Sequence, residues 1–264
     1  MAFFFRNFKL DMNRILKKII IFILKIIHAQ KNVFVVFQNN EDKDIFVKNM
    51  IISENQAYKT NGAGIDLSIY QYTPEPGSDD VVRILFTARM LRDKGVLELV
   101  DAAKLLREKY YRKAQFLLCG DIDDNPKSLT RTELESVVDN QYIQWLGHRD
   151  DVRALLGHSH IFAFPSYYRE GLPKSLIEAC AVGRPIITTN SIGCKDCVID
   201  NYNGFLVPIK NSKTLADTLA VLIDDKPLRV FMGKNSRILA EKKFSIAAVV
   251  DTHIEIYNKL IKQE

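Results

Sequence analysis

Two glutamates, Glu170 and Glu178, stand in the segment Ser166-Tyr-Tyr-Arg-Glu170-Gly-Leu-Pro-Lys-Ser-Leu-Ile-Glu178-Ala. The apolar run before it, IFAFP, reads as a strand, and Pro173 suits the first turn of a helix. The segment is therefore a polar loop that runs into a helix. At that helix start the N–H groups of Lys174, Ser175 and Leu176 lack intrahelical partners and form a phosphate-sized anion site. Lys174 adds a point charge beside them. Glu170 lies just before the helix and Glu178 more than one turn inside it, so both can border one pocket. A carboxylate that accepts two hydroxyl donors is a standard way to hold a ribose or a sugar ring.

A second constellation is Arg89-Met-Leu-Arg-Asp-Lys94-Gly95. It follows the apolar run VRILFTA and precedes a helix, so Arg89 and Lys94 sit at a helix N-terminus as a diphosphate clamp. Such a clamp stabilises a departing nucleotide without a metal. Other features carry less. Asp121-Ile-Asp123-Asp124 resembles a metal-binding acid cluster, but acids in a turn are more often solvated, and no metal is expected. Gly147-His148-Arg149 closes another strand and can turn its backbone to a nucleobase, which makes His148 a binding candidate. Neither His148 nor His158 has an acid or nucleophile partner in sequence. Cys194-x-x-Cys197 lacks the second pair a zinc site needs, and Gly193–Asp196 is one more loop near the pocket.

The elements that must position these groups alternate. Strands are expected at 33–37, 82–88, 116–119, 142–146, 161–165, 185–189 and 205–207. Helices are expected at 41–50, 95–109, 131–138, 151–156, 173–182, 212–223, 227–242 and 246–262. Short apolar strands alternating with amphipathic helices indicate βαβ units around a parallel sheet, and such sheets bind ligands at the carboxyl ends of their strands. Residues 71–80, QYTPEPGSDD, have the composition of an exposed linker. This places a boundary near residue 78, dividing a partial N-terminal unit (1–77) from a Rossmann-like domain (78–264) whose last helix can pack back on the first unit.

Charge is uneven along the 264 residues. The formal net charge is +5, yet residues 1–31 carry seven cations against the single acid Asp11, so the remainder is close to neutral. A nucleic-acid binder spreads basic residues over its folded surface, and this chain does not. Residues 8–29 have helical character, but Ile19–Leu24 is the longest uncharged run, far short of the ~20 residues a membrane span needs. Two compatible readings remain: a helix packed on a sheet, and a basic amphipathic helix on an anionic membrane surface. Four cysteines, two of them in apolar runs, suit a reducing cytosol. The expected location is cytoplasmic, on the inner face of the membrane if the helix binds it.

In order along the chain, QNNEDKDIF, GAGIDLSIY, ARMLRDKGVLELVDAA, GHRDDVRALL, PSYYREGLPKSLIEACAVGRPII and NYNGFLVP resemble the GT-B glycosyltransferases of family four. The resemblance implies an α/β chain holding the C-terminal half of a GT-B fold, with helices on both faces of a parallel sheet. It implies that Arg89 and Lys94 bind the donor diphosphate, that Glu178 holds the nucleotide ribose, and that Glu170 contacts the donor sugar near the Gly171 and Leu172 amides. It further implies metal-independent transfer, with retention, of a hexose or N-acetylhexosamine from a UDP-sugar to a lipid-linked or polysaccharide acceptor. The early glycine-rich loop and the family's N-domain histidine are absent, which puts catalysis by this chain alone in question. The alternatives are a truncated remnant or nucleotide-sugar-binding module, one half of a split enzyme with a separate N-terminal partner, and, more distantly, a nucleotide-sugar epimerase.

Overall fold

A computed structural model describes residues 14–30, 33–77 and 81–261. The first part of the expected N-terminal helix, the boundary near residue 78 and residue 262 lie outside the described residues.

A short unit comes first. Helix α1 (Arg14–Ile27) leads to strand β1 (Val35–Phe37), helix α2 (Asn40–Lys48) and strand β2 (Ala57–Lys59). β1 and β2 pair in parallel, Val35 opposite Ala57 and Phe37 opposite Lys59. Phe37, Phe46, Ile51, Ile52 and Ala57 form a small core, against which Ile21 and Leu24 of α1 pack. Asn39 starts α2 by accepting the Asp42 N–H at 2.7 Å, the cap that an Asn at this position supplies.

The second unit is a six-stranded, all-parallel sheet. Its strands are β3 (Val82–Thr87), β4 (Ala114–Cys119), β5 (Ile143–Gly147), β6 (Ile161–Phe164), β7 (Ile186–Thr189) and β8 (Gly204–Val207). They lie in the order β5-β4-β3-β6-β7-β8. β6 and β7 are buried throughout, which is why they read as continuous apolar or Thr-containing runs rather than alternating ones. Five helices connect or follow them: α3 (Val96–Tyr110), α4 (Arg131–Glu135), α5 (Val152–His158), α6 (Lys174–Val182) and α7 (Ser212–Asp224). α8 (Lys226–Leu239), a π-helical turn (Ala240–Phe244) and α9 (Ile246–Ile261) complete the chain. α3 packs on α7, while α6 packs with α5 and α8, so helices cover both faces as expected. Among the described residues no helix is long and apolar enough to cross a membrane.

Three expectations need correction. The helix expected over 131–138 stops at Glu135, because the Thr130–Glu133 capping box fixes its start while the chain turns at left-handed Asn140 to enter β5. The helix expected over 227–242 gives way at Ala240 to the π-helical turn. The linker is not a free coil. Arg229 grips Glu75 at 2.7 Å in an almost fully buried ion pair, and Arg184 donates to the carbonyls of Thr73 and Pro74. Arg237 reaches the Tyr70 carbonyl at 2.8 Å. Ile65 pairs with the residues flanking Ser245, so the start of α9 is tied to the linker as well.

Candidate functional site

The strand order reverses between β3 and β6. β3 continues outward through β4 and β5, and the chain then returns to place β6 on β3's other side. Open α/β sheets bind ligands at such a switch point, outside the carboxyl ends of the strands. The loop after β3 carries Arg89 and Lys94, and the loop after β6 carries Glu170. The two constellations separated by 76 residues therefore meet: Lys94 Nζ donates to Glu170 Oε1 at 2.6 Å.

Lys94 is only 8% exposed. Its ammonium lies 4.6 Å from the Tyr168 ring centroid and 5.3 Å from that of Phe164, so two aromatic faces and one carboxylate compensate its burial. Backbone contacts hold the two loops in register. Ser166 Oγ and the Tyr167 N–H both donate to the Asp93 carbonyl. Gly95, left-handed at φ 81°, lies so close to Pro165 that a Cβ would overlap the Pro165 carbonyl. On the far side Gly193 (φ 86°) backs onto the carbonyls of Glu170 and Gly171, where again a Cβ would not fit. That gives the loop near Gly193–Asp196 a structural purpose its composition did not reveal.

Glu178 sits in α6 and faces a different partner. Tyr70 OH donates to its Oε1 at 2.8 Å, and Lys174 Nζ lies 3.7 Å from the same oxygen. Burial pushes the Glu178 carboxyl above its ordinary value, with Tyr70 and Lys174 pulling the other way. Burial, and then the hydrogen bond to Glu178, push the Tyr70 phenol up to about 12, so it stays a donor. Tyr70 ends the GAGIDLSIY motif, but nothing in the sequence gave it a role at the site; it is brought to Glu178 across 108 residues.

Arg89 departs from the expected clamp. It is turned away from Lys94 onto Asp123, at 2.7 Å, with its side chain half exposed. That hydrogen bond holds the Asp123 carboxyl below its ordinary value, so the acid cluster after β4 serves an arginine here. Among the described residues no group of three His, Cys, Asp or Glu side chains is disposed to hold a metal ion, and Cys194 and Cys197 are buried free thiols. The anion site is narrower than expected. Pro173 precedes α6 as its N-cap, and the Leu176 N–H already donates to the Pro173 carbonyl. This leaves the Lys174 and Ser175 amides at the uncapped helix start. Leu172 packs against Gly62. His148 is exposed, bonds to Asp150 at 3.2 Å, and follows edge strand β5, two strands removed from the switch point; the structure does not bring it to Glu170.

The profile of glycosyl transferases group 1 matches residues 73–238, more than half of the chain. The chain belongs to this family. Among its group 1 relatives, the N,N'-diacetylbacillosaminyl-diphospho-undecaprenol alpha-1,3-N-acetylgalactosaminyltransferase of Campylobacter jejuni is 30% identical over 84% of the chain and 60% of that protein. The UDP-Gal:alpha-D-GlcNAc-diphosphoundecaprenol alpha-1,3-galactosyltransferase of Escherichia coli is 26% identical over 90% of the chain and 63% of that protein. A glycosyltransferase structure from Rickettsia africae superposes with a TM-score of 0.77 at 25% identity, covering 89% of the chain and 65% of that one. The Anabaena protein HepE, solved in complex with UDP, shares the fold with a TM-score of 0.74 at 18% identity, over 86% of the chain and 64% of that one. The chain thus spans about three fifths of the length of these two curated relatives. The group 1 match begins inside the linker at residue 73, and its span includes both glutamates, Arg89 and Lys94.

Proposed function

We propose that this chain binds a nucleotide sugar, with UDP as the nucleotide, and takes part in retaining transfer of a hexose or N-acetylhexosamine to a lipid-linked or polysaccharide acceptor. The observation that carries the reading is the meeting of Lys94 with Glu170 at the switch point, on the loop that leads into the helix carrying the Tyr70–Glu178 pair. In this reading the donor's diphosphate takes the Lys94 ammonium, supported by the Lys174 and Ser175 amides and by Arg89 once it leaves Asp123. Glu170 is then released toward the sugar, and Glu178 keeps an oxygen for the ribose hydroxyls while Tyr70 holds the other. During transfer the bond between the anomeric carbon and the phosphate oxygen breaks, a bond to the acceptor oxygen forms, and the acceptor's hydroxyl proton passes to the departing phosphate oxygen. Negative charge grows on the departing diphosphate, and fixed cations stabilise it there without a metal. The names of the C. jejuni and E. coli relatives, both acting on undecaprenyl diphosphate-linked sugars, support the acceptor class.

A membrane-facing role fits the same acceptor. α1 exposes Leu16, Ile19, Phe22, Ile23, Ile26 and Ile27 beside Lys17, Lys18 and Lys25, the composition of a helix lying on an anionic bilayer. Calorimetry of the purified chain with UDP, GDP and ADP tests the nucleotide, and transfer of radiolabel from UDP-sugars tests the reaction. UDP binding with transfer supports the reading in full. UDP binding without transfer assigns a nucleotide-sugar-binding module, and no nucleotide binding overturns both.

A further inference from the structure

Gln38 belongs to the N-terminal unit and stands against the donor loop, and no feature of the sequence assigned it a role. It follows β1 directly, at the carboxyl end of the two-stranded sheet, and its side chain lies against Gly171, so near that a Cβ on Gly171 would overlap the Gln38 Oε1. Among the described residues its side-chain amide makes no hydrogen bond; the residue is exposed, while the chain on either side of it is strongly tied down. Asn39, next along, is fully buried and caps α2. Asp42 in the first turn of α2 pairs with Arg169 at 2.5 Å, immediately before Glu170. Glu41 pairs with Lys195, and Lys59 at the end of β2 reaches Asp196 at 3.4 Å. Three ion pairs therefore fasten the turn after β1 and the end of β2 to the loops after β6 and β7.

Such fastening has a consequence for chemistry. An amide offers both a donor and an acceptor, and the fastened backbone on either side of Gln38 presents its exposed, unbonded amide at Gly171, next in sequence to Glu170, where a polar group of a ligand can take it up. The glycine is what admits it: any side chain at 171 would expel the amide. Resting on the proposed donor reading, we infer that Gln38 is a specificity-determining residue, which hydrogen-bonds a hydroxyl or acetamido substituent of the transferred sugar beside Gly171. In that reading the nucleotide and diphosphate are held by Lys94 after β3 and by Glu178 and the start of α6, away from Gln38. Gln38 thus acts on the sugar increment of binding and leaves the nucleotide part alone.

Calorimetry of the full chain with UDP, a UDP-hexose and a UDP-N-acetylhexosamine separates these parts. Q38M keeps the packing on Gly171 and removes the hydrogen bonds, and Q38A removes both. Each variant is expected to bind UDP within twofold of the wild type. Each should bind at least one of the two nucleotide sugars about three- to tenfold more weakly, the range for losing one hydrogen bond. Unequal loss between the hexose and the N-acetylhexosamine identifies the substituent. Equal weakening of all three ligands, or no change in any, overturns the assignment of Gln38. Failure of the wild type to bind UDP at all overturns the donor reading instead, so the two failures are distinguishable. A melting temperature for each variant within the wild-type range, with UDP affinity intact, excludes misfolding as the cause.

Discussion

Glu178→Gln separates binding from folding at the residue where the two requirements oppose each other. Glutamine keeps the shape of the side chain and can still accept the Tyr70 hydroxyl, which lies 2.8 Å from Oε1. It loses the charge and one of the two acceptor oxygens. Glu178 is 8% exposed, and burial raises its carboxyl pKa above the ordinary 4.5 despite Tyr70 and Lys174. Above 4.5, and up to the raised folded value, the folded chain holds a proton that the unfolded chain has given up. Stability therefore falls as pH rises through that window, and the cost persists at neutral pH. The amide carries no such cost, so the variant should melt at or above the wild-type temperature near neutral pH, with a flatter dependence on pH. Binding moves the other way. A hydrogen bond to a charged acceptor contributes about 1.5–3 kcal/mol, so UDP affinity should drop by about ten- to 150-fold. Wild-type affinity should itself weaken as pH falls through the raised Glu178 value, and this slope should vanish in the variant. Calorimetry across pH with parallel thermal melts reads both. A variant that melts lower yet binds UDP as tightly as the wild type would show that Glu178 serves the fold and would refute the reasoning.

Arg89→Ala should weaken UDP by about 1.5–3 kcal/mol, whereas Asp123→Asn, which frees Arg89 from its 2.7 Å partner, should tighten it up to about fivefold, the range for an exposed ion pair; titration calorimetry reads both. Gly193→Ala combines a positive φ with a Cβ overlapping the carbonyls of Glu170 and Gly171, so it should cost more than about 1 kcal/mol in urea unfolding and lower nucleotide-sugar affinity by displacing Glu170. Glu75→Gln leaves Arg229 buried without its counter-charge. It should cost about 3–5 kcal/mol, much of it recovered in the Glu75→Gln, Arg229→Met double variant, as unfolding midpoints would show.

The frame of the donor sheet was legible because double-sided burial leaves an unmistakable trace: VRILFT, IFAF and IITT have no solvent face to alternate toward. Proline and glycine around α6, together with the ordered motifs, marked the loops that converge at the switch point. What stayed hidden was the partner of each charged group. Arg89 and Lys94 read alike as loop cations, yet one finds Asp123 and the other Glu170, choices set by packing at the switch point rather than by spacing. Tyr70 and Gln38 are single polar residues whose neighbours lie more than 100 positions away. Glu75 looked like one more solvated linker acid because Arg229, 154 residues later, is invisible from its surroundings. β2 is three residues long and ends in a lysine, too brief for a pattern to appear.

The stapled linker also sets how far apart the two units can drift. Left as a free coil, residues 61–77 would span roughly 23 Å root-mean-square, at about 5–6 Å times the square root of their number. Contacts at Ile65, Tyr70, Thr73, Pro74 and Glu75 leave the stretch around left-handed Gly62 and Gly64, which packs on Leu172 and Ile246 without hydrogen bonds of this kind, a reach of at most roughly 12 Å by the same relation. The volume open to the first unit shrinks about sevenfold on that basis, and its effective concentration at the cleft rises in proportion. The connection behaves as a pivot rather than a leash, so the surfaces carrying Gln38 and Glu170 stay within reach of each other even when their ion pairs are screened by salt.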